Sequence, residues 1–412
     1  MLIRPNEQVL PVPGRFGLYW RYLFRALNPE TVGDFERAAA EALSVPYTAA
    51  TLSGSMALTL ILQALRLEPG SRVVLPVFTY FGLPGILERA GLVPVFADVD
   101  PVAARLRADD MAFSSARVAL APQLFGVLTD TAVIRRALGE GGTVIADCAH
   151  AALVGVDRRV TAPAFGDVAF LSFDQTKILD TMRGGMVLAP DERLINRLKE
   201  VLSPLPAQPV SRALRTALLY EAEALIRGTI CYSLFGRLLA SPIVMNWVRR
   251  QYRRLNVRPK QGYFRLSPLQ AAMGLFRLRQ ASSRNALRVA HVKLYLDRLR
   301  DKVSDLSARR YLDEAAQAFI NAAPYPSTLV LNVRRPAEAQ RLARRLGFEV
   351  LAGSRVAEFF GAGGARHYPG AAHLHAHAIK LPIMERVNEY RFRFFVERFT
   401  DWLADELAPY SA

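Results

Sequence analysis

The sequence predicts an α/β protein with a doubly wound, mainly parallel sheet and a second, smaller α+β part. Three observations support this. Between residues 50 and 190, short β-branched runs alternate with segments of helical periodicity, as in repeated β-α-β units. These runs are almost continuously apolar, which is typical of strands covered by helices on both faces. The chain has 412 residues, more than one ordinary domain requires.

Six apolar runs are predicted to be strands, and the segments between them supply three helices. The strands are expected at 72–78, 93–99, 117–125, 143–149, 167–173 and 184–189. The helices are expected at Ser55–Leu67, Gly82–Ala90 and Thr131–Leu138. Later in the chain, the pattern predicts one long helix over 267–300, a strand over 327–333, a helix over 336–347 and a final helix from Asn388 to about Leu407.

A proline-punctuated break near residue 205 suggests how the chain is divided. We expect a large domain over 1–205, a basic, apolar helical insertion or linker over 206–262, and a small α+β domain over 263–412.

Composition excludes several classes of protein. An apolar content of 51% and a mean hydropathy of +0.12 exclude a disordered chain. Cys148 and Cys231 are the only cysteines, so a disulfide framework is excluded and a reducing compartment is expected. Prolines interrupt the N-terminal residues, so no export signal is predicted and the expected location is the cytoplasm.

The formal net charge of +16 is unevenly distributed, and half of it lies between residues 212 and 260. Residues 228–248 are almost entirely apolar, but Arg237 and Pro242 argue against a transmembrane helix. An interfacial helix or hairpin on an anionic membrane is one interpretation, which would place the protein peripherally on the inner face. A helical insertion packed on the sheet or on a dimer mate is the alternative. Nucleic acid is disfavoured because no known binding fold accompanies the arginines.

Three groups at the ends of consecutive predicted strands could carry chemistry. Gly54 and Ser55 open a helix whose free N–H groups suit a phosphate, although Ser55 could simply cap the helix. Asp147 ends an apolar strand and could pair with a protonated ring nitrogen, or serve a turn. Lys177 follows another strand and could form an imine, or be an ordinary surface lysine. In this order on one sheet, they are the parts that a pyridoxal phosphate site needs.

With these residues in place, the chain resembles the DegT/DnrJ/StrS-type sugar aminotransferases, a family of fold type I pyridoxal phosphate enzymes. The resemblance implies the aspartate aminotransferase-like fold of those transferases. The matching stretches are 31–36, 53–58, 75–82, 93–101, 146–150, 172–177, 264–275 and 379–383.

The resemblance implies a reaction and two catalytic residues. Lys177 would form a Schiff base with pyridoxal 5′-phosphate and later move a proton, while Asp147 would keep the ring nitrogen protonated. Relatives that dehydrate sugars replace this lysine, so its retention favours transamination. The amino donor would be a small molecule, glutamate by analogy, and the acceptor a keto sugar that is nucleotide- or lipid-linked.

The resemblance also implies contacts to the cofactor. Tyr80 would stack on the ring, His150 would lie near its hydroxyl group, and Arg265 would come from the partner subunit of a homodimer. Three residues would contact the phosphate, namely Gly54, Ser55 and Ser172.

Three departures from the family pattern leave another function open. Met182-Arg183 replaces the usual Gly-Glu, Ile178 follows the lysine, and Tyr263 replaces an Asn. These changes suggest an altered acceptor, or a catalytically degenerate scaffold that binds a membrane or a partner.

No metal site is predicted. The alternating His373, His375 and His377 would share one face of a strand, but no Cys or acidic ligand accompanies them. We expect these histidines to face solvent or substrate.

Overall fold

The computed structural model describes residues 28–110, 112–113, 116–151, 166–174, 177–216, 218, 264–321, 326–352, 364–384 and 388–410. A seven-stranded mixed sheet lies within these residues. Its strands are β1 (Tyr47–Thr51), β2 (Arg72–Pro76), β3 (Val93–Ala97), β4 (Val118–Pro122), β5 (Thr143–Asp147), β6 (Val168–Ser172) and β7 (Gly185–Ala189). The order is β1-β7-β6-β5-β4-β2-β3. The strands from β6 to β3 are parallel, while β7 is antiparallel to both β6 and β1. The predicted α/β fold is confirmed.

All six strands predicted from the sequence are present, each shorter than expected. The central strands are fully buried, as their continuous apolar character requires. The sequence prediction missed β1, because five residues with two alanines give little strand signal. This strand is held at the edge by pairing with β7 and by Glu36, whose carboxylate accepts the Ala50 N–H at 2.7 Å.

Helices cover both faces of this sheet. They are α1 (Thr31–Leu43), α2 (Gly54–Leu65), α3 (Leu83–Arg89), α4 (Thr131–Leu138), α5 (Glu192–Leu202) and α6 (Pro268–Arg279). Local side chains fix several starts: Ser53 Oγ accepts the Met56 N–H at the start of α2, and Asp130 caps α4. We call the sheet with α1–α6 the large lobe.

The single long helix predicted over 267–300 is two helices, α6 and α7 (Ala281–Lys302), which meet at Gln280. The two helices bury their apolar faces in different places. Ala271 of α6 packs beside Phe35 of α1, whereas Val292, Tyr295 and Leu296 of α7 enter a second core. One straight helix could not serve both cores, which explains the break.

The second core belongs to the small lobe, which contains α7 and the residues after it. Its elements are α8 (Leu306–Ala316), β8 (Leu329–Asn332), α9 (Pro336–Arg345), β9 (Leu351–Ala352), α10 (Pro369–His377), β10 (Ala378–Leu381) and α11 (Glu389–Glu406). The strands form an antiparallel sheet in the order β8-β10-β9. The predicted strand near 327–333 and the last two predicted helices are confirmed.

The two lobes are joined where α10 begins. Asp98, which follows β3, accepts the N–H groups of Gly370 and Ala371, each at 2.9 Å. A Cβ on Gly370 would stand 1.9 Å from the Val99 carbonyl oxygen, so this approach requires glycine. Asn332 of β8 adds a hydrogen bond of 2.8 Å to the Pro101 carbonyl.

The histidine triplet lies on α10, not on a strand. His373 and His377 therefore share a helical face, and their rings bond to the Ala408 and Val333 carbonyl oxygens. Both side chains are partly buried, because each ring bonds to a backbone carbonyl group of the small lobe, and the expectation that they face solvent or substrate stays a prediction. Within the described ranges, no group of three His, Cys, Asp or Glu side chains could hold a metal ion.

The proposed membrane segment at 228–248 and Tyr263 lie outside the described residues. Among the helices that are described, none is long and apolar enough to cross a membrane.

Candidate active site

Most of the predicted site residues lie at one edge of the large sheet. Because β2, β4, β5 and β6 are parallel, their carboxyl ends meet at the same edge. Asp147 is the last residue of β5 and Ser172 the last residue of β6. The antiparallel β7 begins at this edge, so Gly185 lies beside the start of α2.

Gly54, Ser55 and Ser172 form a small cradle. A Cβ on Gly54 would come within 3.0 Å of the Ser172 Cβ, and a Cβ on Gly185 within 2.5 Å of the Ser53 carbonyl carbon, so backbone and side chains meet closely here. Among the described residues, no hydrogen bond uses the N–H of Gly54 or Ser55. These groups and the helix dipole of α2 point toward the edge and suit an anion.

Asp147 is buried, with 7% of its surface exposed. One oxygen accepts the Ala149 N–H at 2.9 Å. Burial raises the pKa of Asp147 to about 6, and the Ala149 N–H and the charge of Lys177 only partly oppose this. The carboxylate is therefore short of positive partners, which a protonated ring nitrogen would provide.

Lys177 lies in the loop between β6 and β7 and is partly buried. Burial lowers the pKa of its amine, while the nearby charges of Asp147 and Asp174 act in the opposite direction. The structure thus brings Lys177 and Asp147 into one electrostatic environment. A lysine whose charged form is disfavoured has a larger share of nucleophilic neutral amine.

Helix α6 fixes the end of this loop. Arg277 and Asp180, both almost fully buried, form an ion pair at 3.7 Å. Gln270 of α6 donates to the Arg183 carbonyl at 2.6 Å. The loop is therefore held to a helix that packs on α1, which restricts the positions that Lys177 can take.

The departure at Met182 has a structural counterpart. Met182 has a φ of 71°, a conformation that favours glycine, and its N–H bonds to Asp180 at 2.7 Å. Its side chain is buried with Ala213, Leu269 and Met273. This packing offsets the backbone strain, so the loop keeps a left-handed turn without glycine.

His150 follows Asp147 by three residues and lies at the same edge. Its Nδ1 accepts the Phe125 N–H at 3.3 Å. Burial, and then the charges of Lys177 and Lys380, hold the pKa of His150 well below its ordinary value. The imidazole is neutral, and its proton is on Nε2 because Nδ1 is an acceptor.

Tyr80 and Arg265 are placed differently. The Tyr80 ring is half exposed, packs on Phe81 at 4.7 Å and leans over Gly82. Arg265 is exposed, donates from Nε to the Leu205 carbonyl, and pairs with Ala207 as an isolated bridge. The stacking role of Tyr80 and the cross-subunit role of Arg265 stay predictions.

Two residues at this edge were missed by the sequence reasoning. Phe125 has a φ of 60°, a left-handed conformation that is costly for a bulky residue. Lys380 of β10 lies over the Phe125 ring, with its Nζ 5.4 Å from the ring centre. A lysine inside the otherwise apolar run 378–383 was the available signal.

The fold described above agrees with what comparison with known proteins shows. The chain has the fold of pyridoxal phosphate-dependent sugar aminotransferases. Residues 26–216 match the model of the DegT/DnrJ/EryC1/StrS aminotransferase family, so the resemblance predicted from the sequence is confirmed.

Curated relatives match part of the chain. A GDP-perosamine synthase of Vibrio cholerae is 29% identical over 170 residues, which is 40% of this chain and 46% of the relative. A dTDP-4-dehydro-2,3,6-trideoxy-D-glucose 4-aminotransferase of Saccharopolyspora spinosa is 32% identical over 152 residues, 36% of this chain and 40% of the relative. The chain spans less than half the length of these relatives.

Solved structures match nearly the whole chain. A DegT DnrJ EryC1 StrS aminotransferase from Brucella abortus has a TM-score of 0.68 at 17% identity and covers 96% of this chain and 99% of its own. The NtdA protein of Bacillus subtilis, solved with bound cofactor PMP, has a TM-score of 0.68 at 18% identity and covers 97% and 84%. At these identities, the similarity concerns the fold.

Proposed function

We propose that this protein is a pyridoxal 5′-phosphate-dependent aminotransferase that moves an amino group from a small-molecule donor to a keto sugar. One observation carries the proposal: Lys177, with a lowered amine pKa, shares a buried edge with Asp147, whose carboxyl pKa is raised to about 6. Each residue alone has ordinary explanations. Their combination at the carboxyl edge of this fold supports catalysis over the scaffold alternative.

The residues at the edge fit the cofactor. The free N–H groups of Gly54 and Ser55, with Ser172, suit its phosphate. Asp147, buried and short of positive partners, suits its ring nitrogen. The Thr79 hydroxyl, in the loop after β2, is buried and has no hydrogen-bond partner within the described part of the chain, so a polar ligand group would satisfy it.

When bound, pyridoxal phosphate supplies an aldehyde that carries an amino group and a ring that accepts electrons. The protein's contributions follow from its geometry. Lys177 Nζ would hold the aldehyde and later carry a proton, because its neutral form is favoured by burial. Asp147 would hold a proton on the ring nitrogen, and the neutral His150 would donate from Nε2.

The substrate class is supported by the names of the relatives, which contain a GDP-linked and a dTDP-linked sugar. We therefore propose a nucleotide-linked keto sugar as the acceptor and glutamate as the donor. A lipid-linked keto sugar would suit the basic segment at 212–260, most of which lies outside the described residues.

The decisive experiment combines the colour of the bound cofactor with covalent trapping of that cofactor by borohydride. Protein supplied with pyridoxal phosphate should become yellow, and borohydride should fix the cofactor on the peptide that contains Lys177. Lys177→Ala should abolish trapping, while Lys293→Ala, which removes an exposed lysine on α7, should not. When glutamate is added as the amino donor, it should be converted to 2-oxoglutarate. A colourless wild-type protein that traps nothing would favour the scaffold alternative.

We also propose a homodimer in which Arg265 reaches the partner's cofactor. The exposure of the Arg265 guanidinium and its anchoring to the Leu205 carbonyl support this role. Mixing a Lys177→Ala protein with an Arg265→Ala protein should restore part of the activity, since a mixed dimer would contain one complete site. Two inactive proteins that stay inactive when mixed would contradict the proposal.

A further inference from the structure

Lys380 is a cation at the meeting point of the two lobes. It lies in the middle of β10, opposite Val330 of β8 and Leu351 of β9. Its strand neighbours Ile379 and Leu381 are fully buried in the small-lobe core. Since successive side chains of a strand alternate between faces, Lys380 points to the opposite face of β10 from Ile379 and Leu381, the face that it shares with Val330.

The Lys380 ammonium instead faces the candidate active site. It lies over the ring of Phe125, whose N–H bonds to His150. Burial, and then the charge of Lys177, lower the pKa of Lys380, and both lysines act on His150. The small lobe thus contributes a second amine to the site that holds Lys177.

No acidic side chain of the described residues lies within ion-pair distance of Lys380. Among them, its ammonium makes no hydrogen bond, and the ring of Phe125 is its favourable electrostatic contact. Lys380 is partly buried, and the face of an aromatic ring compensates only in part for the hydration that its ammonium loses. The local arrangement therefore favours an anion beside Lys380.

We propose that Lys380 binds a carboxylate of a small-molecule substrate next to Lys177. The assignment of that carboxylate to the amino donor rests on the proposed aminotransferase function. In an amino-acid donor, a carboxylate is attached to the carbon that bears the amine. The phosphate of the cofactor has a separate cradle at Gly54 and Ser172, which leaves Lys380 for the substrate.

The test measures binding and not turnover. Glutarate has two carboxylates but neither an amine nor a ketone, so it binds without reacting. Calorimetric titration of wild-type protein with glutarate should show binding that Lys380→Met weakens at least about tenfold, the loss expected for a charge-assisted hydrogen bond. Lys293→Met, which removes an exposed lysine on α7, should change the affinity less than about twofold. Lys380→Arg should retain most of it.

The neutral diamide of glutaric acid and inorganic phosphate separate the remaining explanations. Weak diamide binding that Lys380→Met leaves unchanged supports a charge effect. Equal glutarate affinity in wild type and Lys380→Met overturns the proposal, and so does Lys380-dependent binding of phosphate without binding of glutarate. Titrations before and after loading with pyridoxal phosphate keep the two hypotheses apart: failed trapping at Lys177 rejects the cofactor, whereas Lys380-independent binding rejects this inference.

Discussion

Asp147 is suited to bind a cationic ligand group, but its charge destabilises the folded protein when no ligand is bound. Its pKa is raised to about 6 by burial, so the ionised form is disfavoured in the folded chain. When folding raises the pKa of a carboxyl group, the folded protein becomes less stable as the pH rises from the unfolded-state pKa to the folded-state pKa of that group. The cofactor-free protein therefore carries an unfavourable charge at neutral pH.

Asp147→Asn should make the cofactor-free protein more stable, because the amide oxygen can still accept the Ala149 N–H without a charge. The advantage over wild type should grow by roughly 1 kcal/mol from pH 5 to pH 8 and level off above the folded-state pKa. Urea unfolding at several pH values measures it. Cofactor affinity should fall in the same variant. A constant difference across this pH range would show that the carboxyl is not titrating as inferred.

At Met182, side-chain packing stabilises the protein, whereas the backbone conformation is strained. Met182→Ala should cost about 2 kcal/mol or more, because the packing is lost while φ stays at 71°. Met182→Gly should be about 1 kcal/mol more stable than the alanine variant, since glycine adopts this φ without strain. Denaturant unfolding compares the two. An alanine variant that is more stable than the glycine variant would contradict the strain argument.

At the level of elements, α6 connects the Lys177 loop to the large lobe. Gly274 of α6 faces Phe35 of α1, and a Cβ there would come within 2.4 Å of the Phe35 ring. Phe35 in turn packs edge-on against Phe173, which precedes the loop, with ring centres 5.6 Å apart. Close packing of two helices therefore supports the position of the lysine.

Gly274→Ala should destabilise the protein by about 1–3 kcal/mol, although alanine is the better helix former, because the Phe35 ring has to move. Gly33→Ala in α1 is the matched control: its nearest neighbour is the flexible Arg37 guanidinium at 3.5 Å, so it should be neutral or stabilising. Thermal unfolding distinguishes the two. Equal melting temperatures would mean that the helices can separate without cost.

The sequence predicted the elements of the large sheet better than the contacts between them. Continuous apolar runs identified six strands, and the end of β5 identified Asp147, because strand ends and site residues are local signals. The break at Gln280 could not be predicted, since residues on both sides have helical patterns and only the two cores separate them. Lys380 was missed for a similar reason: its meaning depends on Phe125, which is distant in the chain.

At the scale of the whole molecule, Asp98 couples the lobes. Its carboxylate is buried and accepts two N–H groups at the start of α10. Because Lys380 follows α10 directly on β10, the same attachment positions the small-lobe side of the site.

Asp98→Ala should destabilise the small lobe by about 2–3 kcal/mol, since two buried N–H groups lose a charged acceptor. Hydrogen exchange should become faster in β8–β10 than in β4–β6. Asp109→Ala, which breaks an exposed ion pair with Arg107, is the matched control and should cost less than about 1 kcal/mol. Uniformly faster exchange in both sheets would contradict a local attachment.

The bridge between Ala207 and Arg265 brings together the two ends of a long segment of the chain. The Gln208 N–H donates to the Arg265 carbonyl and the Arg265 N–H donates to the Pro206 carbonyl, so positions 207 and 265 are adjacent in space although they are distant in the sequence. A segment whose two ends are adjacent can change in length or composition at small entropic cost. A change in the charge of the intervening residues therefore need not alter the spacing of positions 207 and 265.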